Sequence, residues 1–324
     1  MKMKTPLLLA MFVLVLACNK KDVRKPTTEQ LETQSMTRQR SCASTEVLET
    51  QLAADPGLKQ KMQQIEDFTN KLIKSPDKYR LVNGVIEIPV IVNVLFRNTG
   101  ENISSTQIQS QIDVLNEDFN NTNADRDLIP AEFLPVQANV GIRFVLSGVV
   151  RKATKKTSWS TNDAMKKSKS GGIDPTSPST TLNMWSCNMG GGILGYAQFP
   201  GGSLATDGVV ILYNAFGRLG NVVSPFNKGR TATHEVGHWL NLRHIWGDAI
   251  CGTDLVNDTP QANTANYGCP AYPSKSTCTG NPTEMTMNYM DYTDDACMYM
   301  FSNGQNSRMQ AVFAAGGPRR SFAL

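Results

Sequence analysis

The chain has 324 residues and a formal net charge of +4. That excess lies in the first 79 positions: residues 80–324 carry 19 basic and 19 acidic side chains. With no basic–aromatic motif either, the composition excludes nucleic acid as the expected partner.

In chain order, Lys2 and Lys4 precede an apolar run from Pro6 to Ala17 that ends at Cys18. A charged stretch, a short apolar stretch and a small residue read as an export signal over 1–17, too short to span a membrane as a stable helix. Val15-Leu16-Ala17-Cys18 resembles a bacterial lipobox, which implies cleavage before a lipidated Cys18 and membrane contact only through that anchor; an ordinary secretion signal with a coincidental Cys is the alternative. Residues 19–41 are polar and Thr/Gln-rich, a tether in character. Asp55-Pro56 has the N-cap-then-N1 form of a helix start, and Leu58, Met62, Ile65 and Leu72 continue it as an apolar stripe. Residues 18–79 are therefore expected to form a tether and helical prosegment, and 80–324 the catalytic body.

Within the body, Ile86–Phe96 is an apolar strand, and Ser104–Phe119 a helix with Ile108, Ile112, Leu115 and Phe119 on one face. Ile142–Val150, Thr181–Cys187 and Gly208–Tyr213 read as further strands. Between the last two, Gly190-Gly191-Gly192-Ile193-Leu194-Gly195-Tyr196 runs toward Pro200, as suits an exposed edge strand. Ser302 and Gln305 form a capping box for a final helix faced by Met309, Val312 and Phe313.

The three histidines of the chain fall in one run, His234-Glu235-Val236-Gly237-His238-Trp239-Leu240-Asn241-Leu242-Arg243-His244. On a helix, His234 and His238 share one face a turn apart and can reach one ion. Glu235 fits the general base that takes a proton from metal-bound water. A catalytic zinc takes three protein ligands and a water. A straight helix would carry His244 about 120° off that face and about 9 Å along the axis. The helix must end and turn back, and Asn241 tolerates the left-handed backbone such a turn needs.

HExxH with a third His after a turn, followed by Asn288-Tyr289-Met290-Asp291-Tyr292-Thr293-Asp294-Asp295-Ala296-Cys297-Met298, resembles the pappalysin family of metzincin zinc metallopeptidases. Asn241 stands where the metzincin pattern has Gly. The resemblance implies an α+β, two-lobed zincin: an upper twisted mixed sheet with helices, and a lower loop-rich lobe with a Met-turn and C-terminal helix. It makes Met290 the methionine beneath one catalytic zinc, Tyr292 the hydroxyl that stabilises the reaction intermediate, and Gly192, Ile193, Leu194, Gly195 and Tyr196 the edge strand that pairs with extended substrate.

Cysteine usage fits an exported protein. Cys251, Cys269, Cys278 and Cys297 cluster where regular structure is thin, and three pairings are open from the sequence. The pappalysin resemblance favours Cys251–Cys278 with Cys269–Cys297. Cys187 remains, in a strand. A thiolate ligates zinc well, so Cys42 in Arg40-Ser41-Cys42 can occupy the water position and keep a precursor latent, as in related zymogens; a structural cysteine is the alternative.

The stretch from 245 to 300 is acidic. Asp254-Leu255-Val256-Asn257-Asp258-Thr259 resembles a pappalysin calcium loop, with Asp248, Asp254, Asp258, Thr259 and the Val256 carbonyl as candidate ligands of a structural calcium; a solvated acidic loop is the alternative. The same acidity would favour Arg or Lys at P1′, beside the scissile bond. The expected function is a zinc endopeptidase acting on extracellular proteins or peptides. The competing readings are a zinc hydrolase using a downstream Glu as third ligand, and a surface binding protein that keeps a zinc site.

Overall fold

The computed structural model describes residues 39–74 and 85–323. The expected export signal, Cys18 and most of the expected tether lie outside them, as does the expected boundary at 79/80. Two helices come first, α1 (Ser44–Ala54) and α2 (Pro56–Ile73). Asp55 caps α2 as its sequence predicts, accepting from Gly57 N at 2.9 Å, with Pro56 at the first helical position.

The body is built on a five-stranded mixed sheet of order β2-β1-β3-β5-β4. Its strands are β1 (Ile86–Phe96), β2 (Ile142–Ala153), β3 (Leu182–Cys187), β4 (Gly195–Ala197) and β5 (Val209–Leu212). The first four in spatial order pair in parallel, and β4 closes one edge antiparallel to β5. A strand covered on both faces reads as a continuous apolar run, as β5 does; β1 is interrupted by the exposed Glu87 and the buried Asn93. Pro89 sits in central β1 without penalty because β3 pairs only from Val90 onward, and the β1–β2 register shifts just after it. β2 runs past the expected Val150 to Ala153, because Phe96 still has a partner there. Its last residues include the polar Arg151 and Lys152, which carry no apolar signal.

Helices α3 (Ser105–Phe119) and α4 (Arg230–Trp239) join one face of the sheet in the main core. Phe119 meets Phe144 edge-on at 5.1 Å, a contact contributing about 1 kcal/mol beyond its area. A second cluster, around Trp159, Trp185 and Tyr196, fills the other side of β3, β4 and β5. Beyond α4 the chain is mostly turns until α5 (Asn303–Ala311), whose Ser302–Gln305 capping box is present. Disulfides Cys251–Cys278 and Cys269–Cys297 brace this lower lobe, and Cys187 is free and buried in β3.

Candidate active site

Helix α4 has no side-chain cap of its own, and Gly229 enters it at φ 80°. Its start is held instead by Asp295, whose Oδ2 accepts from Lys228 N at 2.7 Å and Arg230 N at 3.3 Å. A carboxylate at a helix N-terminus is favoured by the helix dipole. The other end stops at Asn241, at φ 74°. Leu242 N donates to Gly237 O at 3.0 Å and Asn241 N to His238 O at 2.9 Å. This is the Schellman pattern, made with Asn in place of Gly. Trp239, the last helical residue, is fixed by Asp207 at 2.9 Å and by Arg319 stacked 3.7 Å over its ring.

The turn brings His244 back to the helix. Nε2 of His238 lies 3.2 Å from that of His234 and 3.1 Å from that of His244. Each Nδ1 is already engaged: His234 with Tyr289 O at 2.7 Å, His238 with Leu242 O at 2.8 Å, His244 with Asp248 Oδ1 at 2.6 Å. Those oxygens can only accept, so each Nδ1 carries the proton and the three Nε2 lone pairs face one another. Burial and neighbouring imidazoles push His234 well below its ordinary pKa, and burial first of all does the same to His238. Both rings are thus neutral near pH 7, the state a metal ligand needs. Among the described residues, the one group of three or more potential His, Cys, Asp or Glu ligands is His234, His238, His244 and Cys42, with ligand atoms all within 4.8 Å. Converging lone pairs with outer-sphere partners on every ring fit a divalent metal.

Met290 is buried against α4 at Gly237, the residue before His238, and Gly237 is what admits it: a Cβ there would collide with Met290 Sδ. Tyr292 lies 4.9 Å from the His244 ring and 5.7 Å from that of His234, centroid to centroid. Trp246 stacks on His244 at 4.4 Å. Glu235 is buried against β4, where a Cβ on Gly195 would stand 2.9 Å from Glu235 Cγ and 2.8 Å from Val210 O. Burial raises its carboxyl to about 8.

Residues 40–44 lie across the site. Ser41 O accepts from Leu194 N at 2.9 Å and Ala43 N donates to Gly195 O at 3.1 Å, so Cys42 bridges β4 in parallel. The Cys42 thiol faces Glu235 Oε2 at 3.3 Å, and its carbonyl accepts from Tyr292 at 3.1 Å. Ser44 Oγ donates to Glu235 Oε2 at 2.9 Å and accepts from Ala197 N at 2.8 Å. Arg40 is buried in a pocket of its own. It reaches Asp295 Oδ1 at 2.6 Å, Thr293 O at 3.1 Å and Thr231 Oγ1 at 3.2 Å, with its guanidinium 5.1 Å from the Phe226 ring.

The structure therefore gathers His234, Glu235, His238, His244, Met290, Tyr292, Cys42 and the edge strand. That strand is Gly195–Ala197; Gly191 and Gly192 instead make a turn ahead of it at φ 71° and 77°. It does not gather the five candidate calcium ligands. Asp248 sits against His244 and accepts from Thr45 at 3.2 Å. Asp254 binds Thr259 Oγ1 at 2.7 Å, and Val256 O accepts from the same hydroxyl at 3.1 Å. Asp258 turns to Ser302 and Gly304 N at the start of α5. Arg40, Ser44, Gly237 and Asp295 were not legible as site residues from the sequence. A basic residue two before Cys42 and a glycine inside the HExxH run were the available signals.

A family profile described as pregnancy-associated plasma protein-A matches residues 187–314. An extracellular metalloprotease of Pyricularia oryzae is 35% identical over 241 residues, spanning 71% of this chain and 76% of the relative. Mature mirolysin of Tannerella forsythia, solved in complex with a cleaved peptide, is 45% identical with a TM-score of 0.73, covering 75% of this chain and 97% of that one. A promirolysin mutant from the same organism is 42% identical with a TM-score of 0.80, covering 88% of this chain and 97% of its own. Together with a fold and a histidine cluster of the expected kind, these likenesses identify the chain as a metalloendopeptidase of the pappalysin family.

Proposed function

We propose that this protein is an exported zinc endopeptidase, made latent, in which Glu235 is the general base. The observation that carries this reading is the meeting of three histidine Nε2 lone pairs beside a buried carboxylate. A zinc held by His234, His238 and His244 would polarise the scissile carbonyl and acidify a bound water. Glu235 takes the water's proton and hands it to the leaving amine. Tyr292, once released from the Cys42 carbonyl, donates to the developing oxyanion. Leu194 N, Gly195 O and Ala197 N, now held by residues 41–44, pair with the backbone of an extended substrate.

Latency follows from the same contacts. Cys42 stands among the metal ligands and its carbonyl holds Tyr292, while Ser44 occupies the base and residues 41–44 the edge strand. Residues 18–79 are then the tether and prosegment, and 80–324 the peptidase. The Arg40 pocket supports a preference for Arg or Lys at P1′, since a buried carboxylate there needs a cation. A single carboxylate, Asp295, serves this role rather than a diffuse acidic rim. For calcium, the support is Asp254: it is buried, has no ion-pair partner among the described residues and shares the Thr259 hydroxyl with the Val256 carbonyl. Export rests on the residue pattern and on relatives named extracellular metalloproteases. Lipidation at Cys18 rests on the pattern alone, and mass spectrometry of the mature N-terminus tests it.

The central test is Glu235→Gln in protein freed of its prosegment. We expect one equivalent of zinc to remain and peptide cleavage to fall at least about 100-fold, the low end for a lost general base. Undiminished cleavage would sink the mechanism. Chelation should abolish wild-type activity and zinc restore it.

A further inference from the structure

The prosegment grips the body at a second place, on α5. Glu66 on α2 meets Arg308 on α5 through two parallel bonds, Oε1 to Nη1 at 2.9 Å and Oε2 to Nη2 at 2.8 Å. The Arg308 side chain is 1% exposed, and Glu66 is its ion-pair partner among the described residues. A bidentate pair at a buried guanidinium is among the stronger polar contacts a protein makes. Apolar packing surrounds it. Phe68 and Leu72 cluster with Ala311 and Ala314, while Leu58 and Ile65 seat against Gly201 beyond β4. Arg308 also reaches toward Asn241 O at 3.4 Å, so the anchor touches the turn that delivers His244. Between this anchor and the plug at 40–44, residues 53–57 at the α1–α2 elbow are all exposed.

We propose that residues 39–74 are a two-point inhibitor whose α2 anchor on Arg308 keeps the enzyme latent after the 75–84 connection is cut, so that activation requires a cut at the elbow, Ala53–Gly57. The physical reason is effective concentration. An anchored plug rebinds as an intramolecular event, whether or not it is covalently joined to the body. A cut at the elbow separates plug from anchor, and the short plug segment is then held by its own contacts alone.

The proposal rests on the latency reading above, and one experiment separates the two. A recognition sequence for a site-specific protease is placed within 75–84 in one full-length version and between Ala54 and Asp55 in another. Uncut, both should be inactive; an active uncut chain overturns the latency reading itself. Cut within 75–84, the protein should keep less than a tenth of the activity of enzyme stripped of its prosegment, with the N-terminal fragment co-eluting on gel filtration. Full activity after that cut overturns the proposal. Cut at the elbow, activity should rise at least tenfold on dilution, and persistent inactivity overturns it. Glu66→Gln in the version cut within 75–84 should lose its fragment at least tenfold faster. Unchanged retention removes Arg308 as the anchor.

Discussion

Gly237 shows how one missing atom can set a metal site. A methyl group there would strike Met290 Sδ, which packs on the helix that carries His234 and His238. Gly237→Ala should therefore lower stability by about 1–3 kcal/mol, the range for overpacking a core. It should weaken zinc retention in a chelator competition, although Ala is the better helix former. Asp295→Asn keeps an oxygen that can accept from Lys228 N and Arg230 N while removing the charge that meets Arg40. We expect it to fold, with kcat/KM for P1′ Arg peptides falling at least tenfold relative to P1′ Leu peptides. An unchanged ratio would refute the basic preference. Asp254 gives a pH signature. Burial raises its carboxyl to about 6. Because a proton competes with a cation for the carboxylate, calcium affinity should hold above that value and weaken as pH falls through it. Calcium-dependent gain in Tm at pH 7.5 but not at pH 5 is the expected result. Asp254 was already a calcium candidate in the loop sequence, but the other two roles could not be read from residue type. Gly237 depends on a residue 53 positions later, and Asp295 is one of seven acidic residues between 245 and 300.

At the scale of elements, the local signals in the sequence carried a long way. Asp55-Pro56 starts α2, Ser302 and Gln305 cap α5, and the apolar run Ile86–Phe96 is β1 to the residue. These are decided by neighbours within one turn or one strand, so periodicity exposes them. The turn at Asn241 belongs to this class, because the spacing to His244 demands it. Asn241→Gly should be neutral or slightly stabilising, whereas Asn241→Val must place a β-branched residue at φ 74°, at a cost of about 1–2 kcal/mol or more. Zinc affinity measured by competition should fall for Val and hold for Gly. What stayed hidden at this scale was pairing between distant segments. The strand-like path of residues 41–43 on β4 leaves no trace in three residues of sequence, and the last residues of β2 are defined by β1 rather than by themselves.

Across the whole molecule, the sheet half is held by its core, and the turn-rich half by two covalent links in addition to its buried side chains. The two bridges close spans of 27 and 28 residues. Chain-entropy arguments put each at on the order of 3 kcal/mol. Cys251→Ala/Cys278→Ala should lower Tm and expose the 251–278 region to proteolysis while leaving the sheet's hydrogen-exchange protection near native. The division of the body into a sheet half and a turn-rich half was visible in where the cysteines and the apolar runs lie. The depth to which residues 39–74 enter both halves was not, since it depends on charges meeting across 242 positions at Arg308 and 255 at Asp295. Asp295 has one further implication. It steadies the first turn of α4 with one oxygen and receives Arg40 with the other. A lineage that drifted to a neutral, non-accepting side chain here would lose the support of the first turn of α4 and the ion pair with Arg40 in one step, and with them any preference for basic residues that the pocket confers. Under the proposed basic preference, selectivity would therefore diversify elsewhere in the pocket, at side chains such as Phe226, whose ring faces Arg40 without bonding the start of α4.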